Sequence, residues 1–296
     1  MDNLNNAKKD NFSRKTILVT GAAGFIGSRL IVELLREGHQ VIAALRNAAT
    51  KKDKLLGFIA TEGLVDPSIS FVEYDLSRDF KLDSLLSDAQ TKIHVIYHLA
   101  ASFNWGISKA EAERTNIKSG LALIEWAATL KQLERFIWIG GYRVAAPPQE
   151  SADELYCKHG GYEASKILGH QAFIEACKRL NVPWTAINPA TVIDGFYNYG
   201  DMQYIGIADM IDKLYQGRLL ALPGGRDTFL PLCNMQYIVS FLIRTISYPE
   251  TIAQEYMLLD PATPKFHRLV HLAAEHLGVS SPHLQIPKVL DRKSVV

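Results

Sequence analysis

Gly21, Gly24 and Gly27 punctuate the junction between an apolar run, Thr16-Ile17-Leu18-Val19-Thr20, and a stretch whose apolar residues Ile26, Leu30, Leu34 and Leu35 recur at helical spacing. An apolar strand that turns at once into an amphipathic helix through glycines opens a strand–helix–strand unit. Glycine permits the tight turn and lets backbone approach another group closely. Such a start commits the chain to a parallel sheet, because the next strand must return along the same direction.

The alternation continues downstream. Gln40–Leu45, Ser70–Tyr74, His94–His98, Phe136–Ile139 and Trp184–Ile187 read as further apolar strands, with helices predicted over Lys109–Leu130 and Tyr162–Leu180. Near-continuous apolar strands are buried on both faces. The fold class expected is therefore α/β, a Rossmann doubly wound parallel sheet with a smaller C-terminal lobe. Residues 1–14 are polar and read as a disordered lead-in, 15–193 as the sheet domain, and 194–296 mainly as a substrate-capping lobe. That last part contains a loop at Asp194–Asp201, helices near Ile205–Gln216, Met235–Ile246 and His267–Leu277, and a strand near Glu255–Leu259.

At the head of a helix, free N–H groups and the positive end of the helix dipole favour phosphate. The turn Gly21-Ala22-Ala23-Gly24-Phe25-Ile26-Gly27 is thus expected to cradle the pyrophosphate of a dinucleotide, with Ala23, Phe25 and Ile26 along it. An acidic residue ending the second strand would bind the ribose hydroxyls of NAD. Here Leu45-Arg46-Asn47 stands instead, with Lys51 and Lys52 following. Arg46 can face a 2′-phosphate and no carboxylate occupies its position, so NADP(H) is preferred, with NAD(H) the other possibility. Asp75, followed by Leu76, reads equally as a partner of the adenine amino group and as a turn or cap residue.

Tyr162 and Lys166 stand at i, i+4 and share one helix face. A phenol titrates near ~10 and needs a cation beside it to exchange a proton near neutral pH. Lys166 supplies that charge, and Tyr162 gives or takes a proton as hydride moves to or from a nicotinamide.

Together these pieces resemble the extended short-chain dehydrogenases/reductases. The resemblance is carried by Thr20–Gly27, Tyr97-His98-Leu99-Ala100-Ala101, Thr115-Asn116-Ile117-Lys118-Ser119-Gly120, Tyr162-x-x-x-Lys166 and Asn188-Pro189-Ala190-Thr191-Val192. Within that superfamily the chain looks most like the dihydroflavonol/aldehyde reductase and thioester reductase branches. The resemblance implies that Leu99, Ala100 and Ala101 pass along the cofactor ribose, and that Pro189, Ala190 and Val192 border the nicotinamide. It also implies that Asn116 orders a proton-relay water and that two long helices pair in a homodimer.

One expected group is missing. The family carries a catalytic Ser or Thr just after the fifth strand, where this chain has Ile139-Gly140-Gly141-Tyr142. The hydroxyl falls at Gly141, or at Gly140 in a looser alignment. Ser102, Asn104 or the Tyr142 hydroxyl could substitute. Alternatively, the glycines could make room for a bulky substrate and offer a backbone N–H, or the chain could bind cofactor without catalysis. Ser102, Phe103, Asn104 and Trp105 follow the fourth strand, and Phe196, Tyr197 and Tyr199 lie in the lobe's entry loop; these are expected to line a moderately apolar substrate site. Arg143 and Arg226 do not form a nucleotide-diphosphate clamp, which leans away from a nucleotide-sugar epimerase or dehydratase holding NAD.

With a net charge of +1 there is no basic field for nucleic acid. No apolar run approaches the ~18 residues of a membrane span. The three cysteines and nine histidines form no metal motif. These features fit a reduced, cytoplasmic setting, a small-molecule carbonyl substrate and no metal.

Overall fold

The computed structural model describes residues 14–78, 92–104, 106–144, 149–195, 206–224, 227–282 and 284–286. Strands β1 (Thr16–Thr20), β2 (Gln40–Leu45), β3 (Ile69–Glu73), β4 (Ile93–His98), β5 (Arg135–Ile139), β6 (Trp184–Pro189) and β10 (Gln254–Leu258) form one seven-stranded sheet in the order β10-β6-β5-β4-β1-β2-β3. Every neighbouring pair is parallel. The order reverses between β1 and β4, and at such a crevice, beyond the carboxyl ends of the strands, open α/β sheets bind their ligands.

Helix α1 (Phe25–Arg36) buries Leu30, Ile31, Leu34 and Leu35 against one sheet face, where Ile17, Val19, Val41 and Ala43 meet them. Helix α2 (Ala48–Thr61), absent from the sequence reading, adds Leu55, Phe58 and Ile59 to the same core. The opposite face packs Leu18, Ile96, Phe136 and Trp138 against Leu123, Ile124 and Phe173. Each such fully buried side chain contributes about 1.5–3 kcal/mol.

The predicted helix over Lys109–Leu130 is α3 (Lys109–Ala112), a π-helical stretch over Glu113–Lys118, and α4 (Ser119–Ala127). Side-chain hydroxyls serve carbonyls around this wider turn: Thr115 Oγ1 donates to Glu111 O at 2.8 Å and Ser119 Oγ to Thr115 O at 2.5 Å. The helix carrying Tyr162 begins earlier than Tyr162. Helix α5 spans Ala152–Leu180 with a capping box at Ser151 and Glu154, and it breaks at Gly160, whose φ of +74° suits glycine.

The expected boundary at 193 does not divide the sheet. Helix α7 (Met235–Thr245) places Ile238, Val239 and Leu242 in the α1-side core, and β10 extends the sheet beyond β6. The remaining lobe holds β7 (Thr191–Ile193) paired with β9 (Leu232–Asn234), and β8 (Ala221–Pro223) paired with β11 (Leu284–Ile286). Helices α6 (Ile207–Tyr215) and α8 (Phe266–Leu277) enclose its small core of Leu214, Leu222, Phe266, Val270 and Ala274. Among the described residues no helix is long and apolar enough to cross a membrane, and no cluster of metal-ligating side chains occurs.

Candidate functional site

The glycine turn is as tight as its residues allow. Gly21 has φ +68°, and a Cβ there would lie 2.9 Å from Ala100 N and from Leu99 C. A Cβ on Gly27 would lie 2.2 Å from Gly21 O. Gly24 N donates to Gly21 O at 2.9 Å and closes the turn. Gly24 heads α1 with no side-chain cap and no acidic residue in the first turn, which suits an anionic ligand. Ala23 and Ile26 pack on the core below, while Phe25 is 43% exposed at the rim. Gly27→Ala sets side chain against backbone, which no rotamer relieves. It is expected to cost about 1–3 kcal/mol and to abolish dinucleotide binding, read by thermal melting and NADPH titration.

Beyond β2, Arg46 is exposed and close enough to Asp75 to favour that carboxylate's charge. Asp75 Oδ1 accepts from Ser77 N at 2.9 Å and from Ser77 Oγ at 2.8 Å, while Oδ2 lies 3.5 Å from Arg78 Nε. Burial opposes its charge, but Ser77, Arg78 and Arg46 outweigh burial and hold the carboxyl below its ordinary range. Of the two readings of Asp75, the turn residue is realised in these contacts. Leu76 packs on the α4-side core. Lys52 sits over the Phe71 ring at 5.5 Å rather than at the strand end. Arg46 follows directly on β2, and the two residues after it lie against the carboxylate of Glu73, which ends β3. Its Oε1 accepts from Asn47 N at 2.8 Å and its Oε2 from Ala48 N at 2.7 Å.

After β4, Leu99 N donates to Thr20 O at 3.3 Å and Ala100 N to Thr20 Oγ1 at 3.2 Å, which fastens the segment leading to half-buried Ala101 to the glycine turn. Thr20 Oγ1 lies 2.8 Å from His98 Nδ1. His98 is fully enclosed, and burial, reinforced by Lys166, pulls its pKa to about 3, so it stays neutral.

Tyr162 and Lys166 lie one turn apart on α5. A Cβ on Gly161 would lie 2.2 Å from Ile107 O, so glycine lets the loop after β4 press directly on this helix. That approach brings the Phe103 ring against Tyr162, centroids 4.6 Å apart and nearly perpendicular. Burial, with Glu163 adding to it, pushes the Tyr162 phenol up and keeps it protonated. The lowering expected from Lys166 is not among the influences on the phenol, since both of them raise it. Lys166 Nζ donates to Ile139 O at 3.0 Å, and burial brings its pKa down to about 8, against a smaller upward pull from Glu163. Asn116, in the π turn, is buried. Its Oδ1 accepts from Ser102 N at 2.7 Å, and its Nδ2 donates to Ser102 O at 3.2 Å and to Ser165 Oγ at 3.0 Å. Its side chain therefore braces Ser102 beside Tyr162. Asn104 is exposed and accepts from Gly106 N at 3.0 Å.

The two glycines after β5 differ sharply. Gly140 N donates to Ile187 O at 2.9 Å, and a Cβ on Gly140 would lie 2.0 Å from Asn188 Oδ1. A Cβ on Gly141 would meet nothing within 4 Å. Tyr142 packs on the core and its hydroxyl accepts from Arg143 Nε at 3.4 Å. Pro189 and Ala190 are buried at the end of β6, Ala190 N donating to Leu258 O at 2.8 Å, and Val192 is half-buried on β7. Phe196, Tyr197, Tyr199, Trp105 and Arg226 lie outside the described residues.

The model of the NAD dependent epimerase/dehydratase family matches residues 17–254, most of the chain. The chain belongs to this family. It is 26% identical over 202 residues to dihydroflavonol 4-reductase from Callistephus chinensis, an alignment covering 63% of this chain and 54% of that protein. The chain thus spans about half the length of that curated relative. Its fold is shared with UDP-glucuronic acid 4-epimerase from Bacillus cereus in complex with NAD, at TM-score 0.70 and 21% identity, covering 92% of this chain and 87% of that one. It is shared as well with the terminal R domain of the myxalamid PKS-NRPS pathway, at TM-score 0.74 and 19% identity, covering 96% of this chain and 78% of that one.

Two groups in this epimerase/dehydratase family member escaped the sequence reading. Glu73 looked like one more strand residue. His170 continues the face of Tyr162 and Lys166 at a further four residues, and that spacing was the available signal. It is 2% exposed, with Nε2 2.7 Å from Glu255 Oε2 on β10, while Nδ1 has no hydrogen-bond partner among the described residues. Lys166 itself gives a pH-dependent expectation. Its folded pKa of about 8 lies below the ordinary 10.5, so the cost of burying its charge is full below pH 8 and fades as the pH rises to 10.5. Relative to Lys166→Met, the native protein is expected to gain stability over that window, measured as melting temperature against pH.

Proposed function

We propose that this chain is an NADP(H)-dependent oxidoreductase that reduces an aldehyde or ketone of a moderately apolar substrate. The observation that carries this reading is the pairing of Tyr162, held protonated by burial, with Lys166 on α5 at the carboxyl edge of the sheet that bears the glycine cradle. The bound nicotinamide would supply the hydride. Tyr162 donates the proton to the carbonyl oxygen, and Lys166 stabilises the phenolate that remains. Asn116 holds Ser102 and the loop bearing Phe103, which excludes water from one side of the phenol. Gly21, Gly24 and Gly27 with the head of α1 receive the pyrophosphate, and Leu99 to Ala101 line the path between the two ends. Arg46 favours a 2′-phosphate. The substrate's carbonyl substituents lie against Phe103, Ser102, Gly141 and Tyr142. The dihydroflavonol 4-reductase relative supports reduction over epimerisation.

The test is a fluorescence titration with NADPH and NADH, followed by an NADPH-oxidation screen of aromatic and aliphatic aldehydes and ketones. NADPH binding that Arg46→Asp weakens selectively, and turnover with at least one apolar carbonyl compound, are the expected results. Binding of neither cofactor removes the proposal, and tight retention of NAD without carbonyl turnover replaces it with the epimerase reading.

A further inference from the structure

Arg46, the residue that favours a 2′-phosphate, is followed directly by two backbone N–H groups that already hold an anion. Asn47 N and Ala48 N, at the start of α2, both donate to the Glu73 carboxylate, at 2.8 and 2.7 Å. Asn47 adopts the left-handed conformation, φ 60° and ψ 57°, and both amides are turned to the same carboxylate. Glu73 is the last residue of β3, and β3 pairs with β2 so that Leu45 stands opposite Glu73. The carboxylate is therefore fixed from the neighbouring strand at the end of β2, where the adenosine ribose is read in this sheet topology. Asp75, two residues on, adds a second negative charge that interacts with Arg46.

We infer that Glu73 is a specificity-determining residue of the cofactor site, a carboxylate delivered from β3 in place of the missing acid at the end of β2. It accepts from a ribose hydroxyl and opposes a 2′-phosphate, so that Arg46 and Glu73 act against each other and selectivity for NADP(H) is shallow. The inference rests on the dinucleotide reading of the glycine turn. A 2′-phosphate at Arg46 shares its surroundings with a carboxylate that cannot move away without releasing Asn47 N and Ala48 N. A ribose hydroxyl there can instead donate to the same carboxylate.

The experiment measures dissociation constants for NADPH, NADH, 2′,5′-ADP and 5′-AMP with the native protein and with Glu73→Gln. Glutamine keeps the size and an acceptor for one amide while removing the charge. Thermal melting checks that the variant folds. The expected result is a native NADPH:NADH preference within about tenfold, rising by a further ten- to hundredfold in Glu73→Gln, with 2′,5′-ADP against 5′-AMP moving in parallel. An unchanged ratio in a folded Glu73→Gln protein overturns the inference, as does an equal loss of both cofactors. A native preference for NADPH of about a thousandfold overturns it without recourse to the variant. Binding of none of the four probes to the native protein removes the dinucleotide reading itself, and the inference with it.

Discussion

Replacing Tyr162 by phenylalanine is expected to lower carbonyl reduction by about 10²–10⁴-fold while NADPH still binds. The substitution deletes one hydroxyl and keeps the ring, so the edge-to-face contact with Phe103 survives and α5 is not disturbed. The size of the loss follows from the phenol's surroundings. Burial holds it in the protonated form, so the group is ready to donate as an oxyanion develops. The next residues on the same face of α5 are otherwise engaged, Lys166 Nζ with Ile139 O and His170 Nε2 with Glu255 Oε2. Steady-state turnover with the best carbonyl substrate, alongside NADPH titration, measures the effect. Full turnover in Tyr162→Phe would remove the tyrosine from the mechanism. A parallel loss of cofactor binding would make its role one of architecture.

Gly141→Ser is expected to move activity the other way, raising kcat/KM by about 10–10²-fold, within the 10²–10³ that one preorganised donor to an oxyanion commands. The backbone after β5 has space at Gly141, where a Cβ meets nothing within 4 Å. Gly140→Ser should behave oppositely. Its Cβ would lie 2.0 Å from Asn188 Oδ1 in a strand end pinned to Ile187, and overpacking of this kind costs about 1–3 kcal/mol. The pair therefore tests the alignment and the mechanism together. If Gly141→Ser leaves kcat/KM unchanged while the protein stays folded, the substrate oxygen is held by another donor. Ser102 is the best placed, because Asn116 fixes its backbone from both sides next to Tyr162.

The sheet and its glycine turn were legible because their signals are local. Apolar runs of strand length and glycines at a strand–helix junction depend on neighbours in sequence, and Tyr162 and Lys166 share a helix face by spacing alone. What escaped depends on contacts across the fold. Helix α2 carries Leu55, Phe58 and Ile59 at helical spacing, but Lys51, Lys52 and Lys54 on its outer side mask that stripe. Glu73 belongs to the cofactor end only because β3 lies beside β2, and no spacing along the chain states that. Asp75, which read equally as an adenine partner and as a turn residue, makes a local turn with Ser77, as short polar side chains often prefer their own backbone. The place of β10 in the sheet was hidden for the same reason: the strand is short and half-polar, and only its pairing with β6 reveals where it belongs.

That late-arriving strand has a bearing on how the protein comes to be made. A ribosome must deliver residue 258 before the sheet can be finished, because β10 covers the edge of β6, a strand buried from Trp184 to Pro189. Until then the growing chain carries an apolar strand with an unpaired side, the kind of edge that recruits other chains. A nascent chain halted near residue 193 would be a client for chaperones rather than a folded nucleotide-binding half, and the two parts of the polypeptide are obliged to reach the native state together.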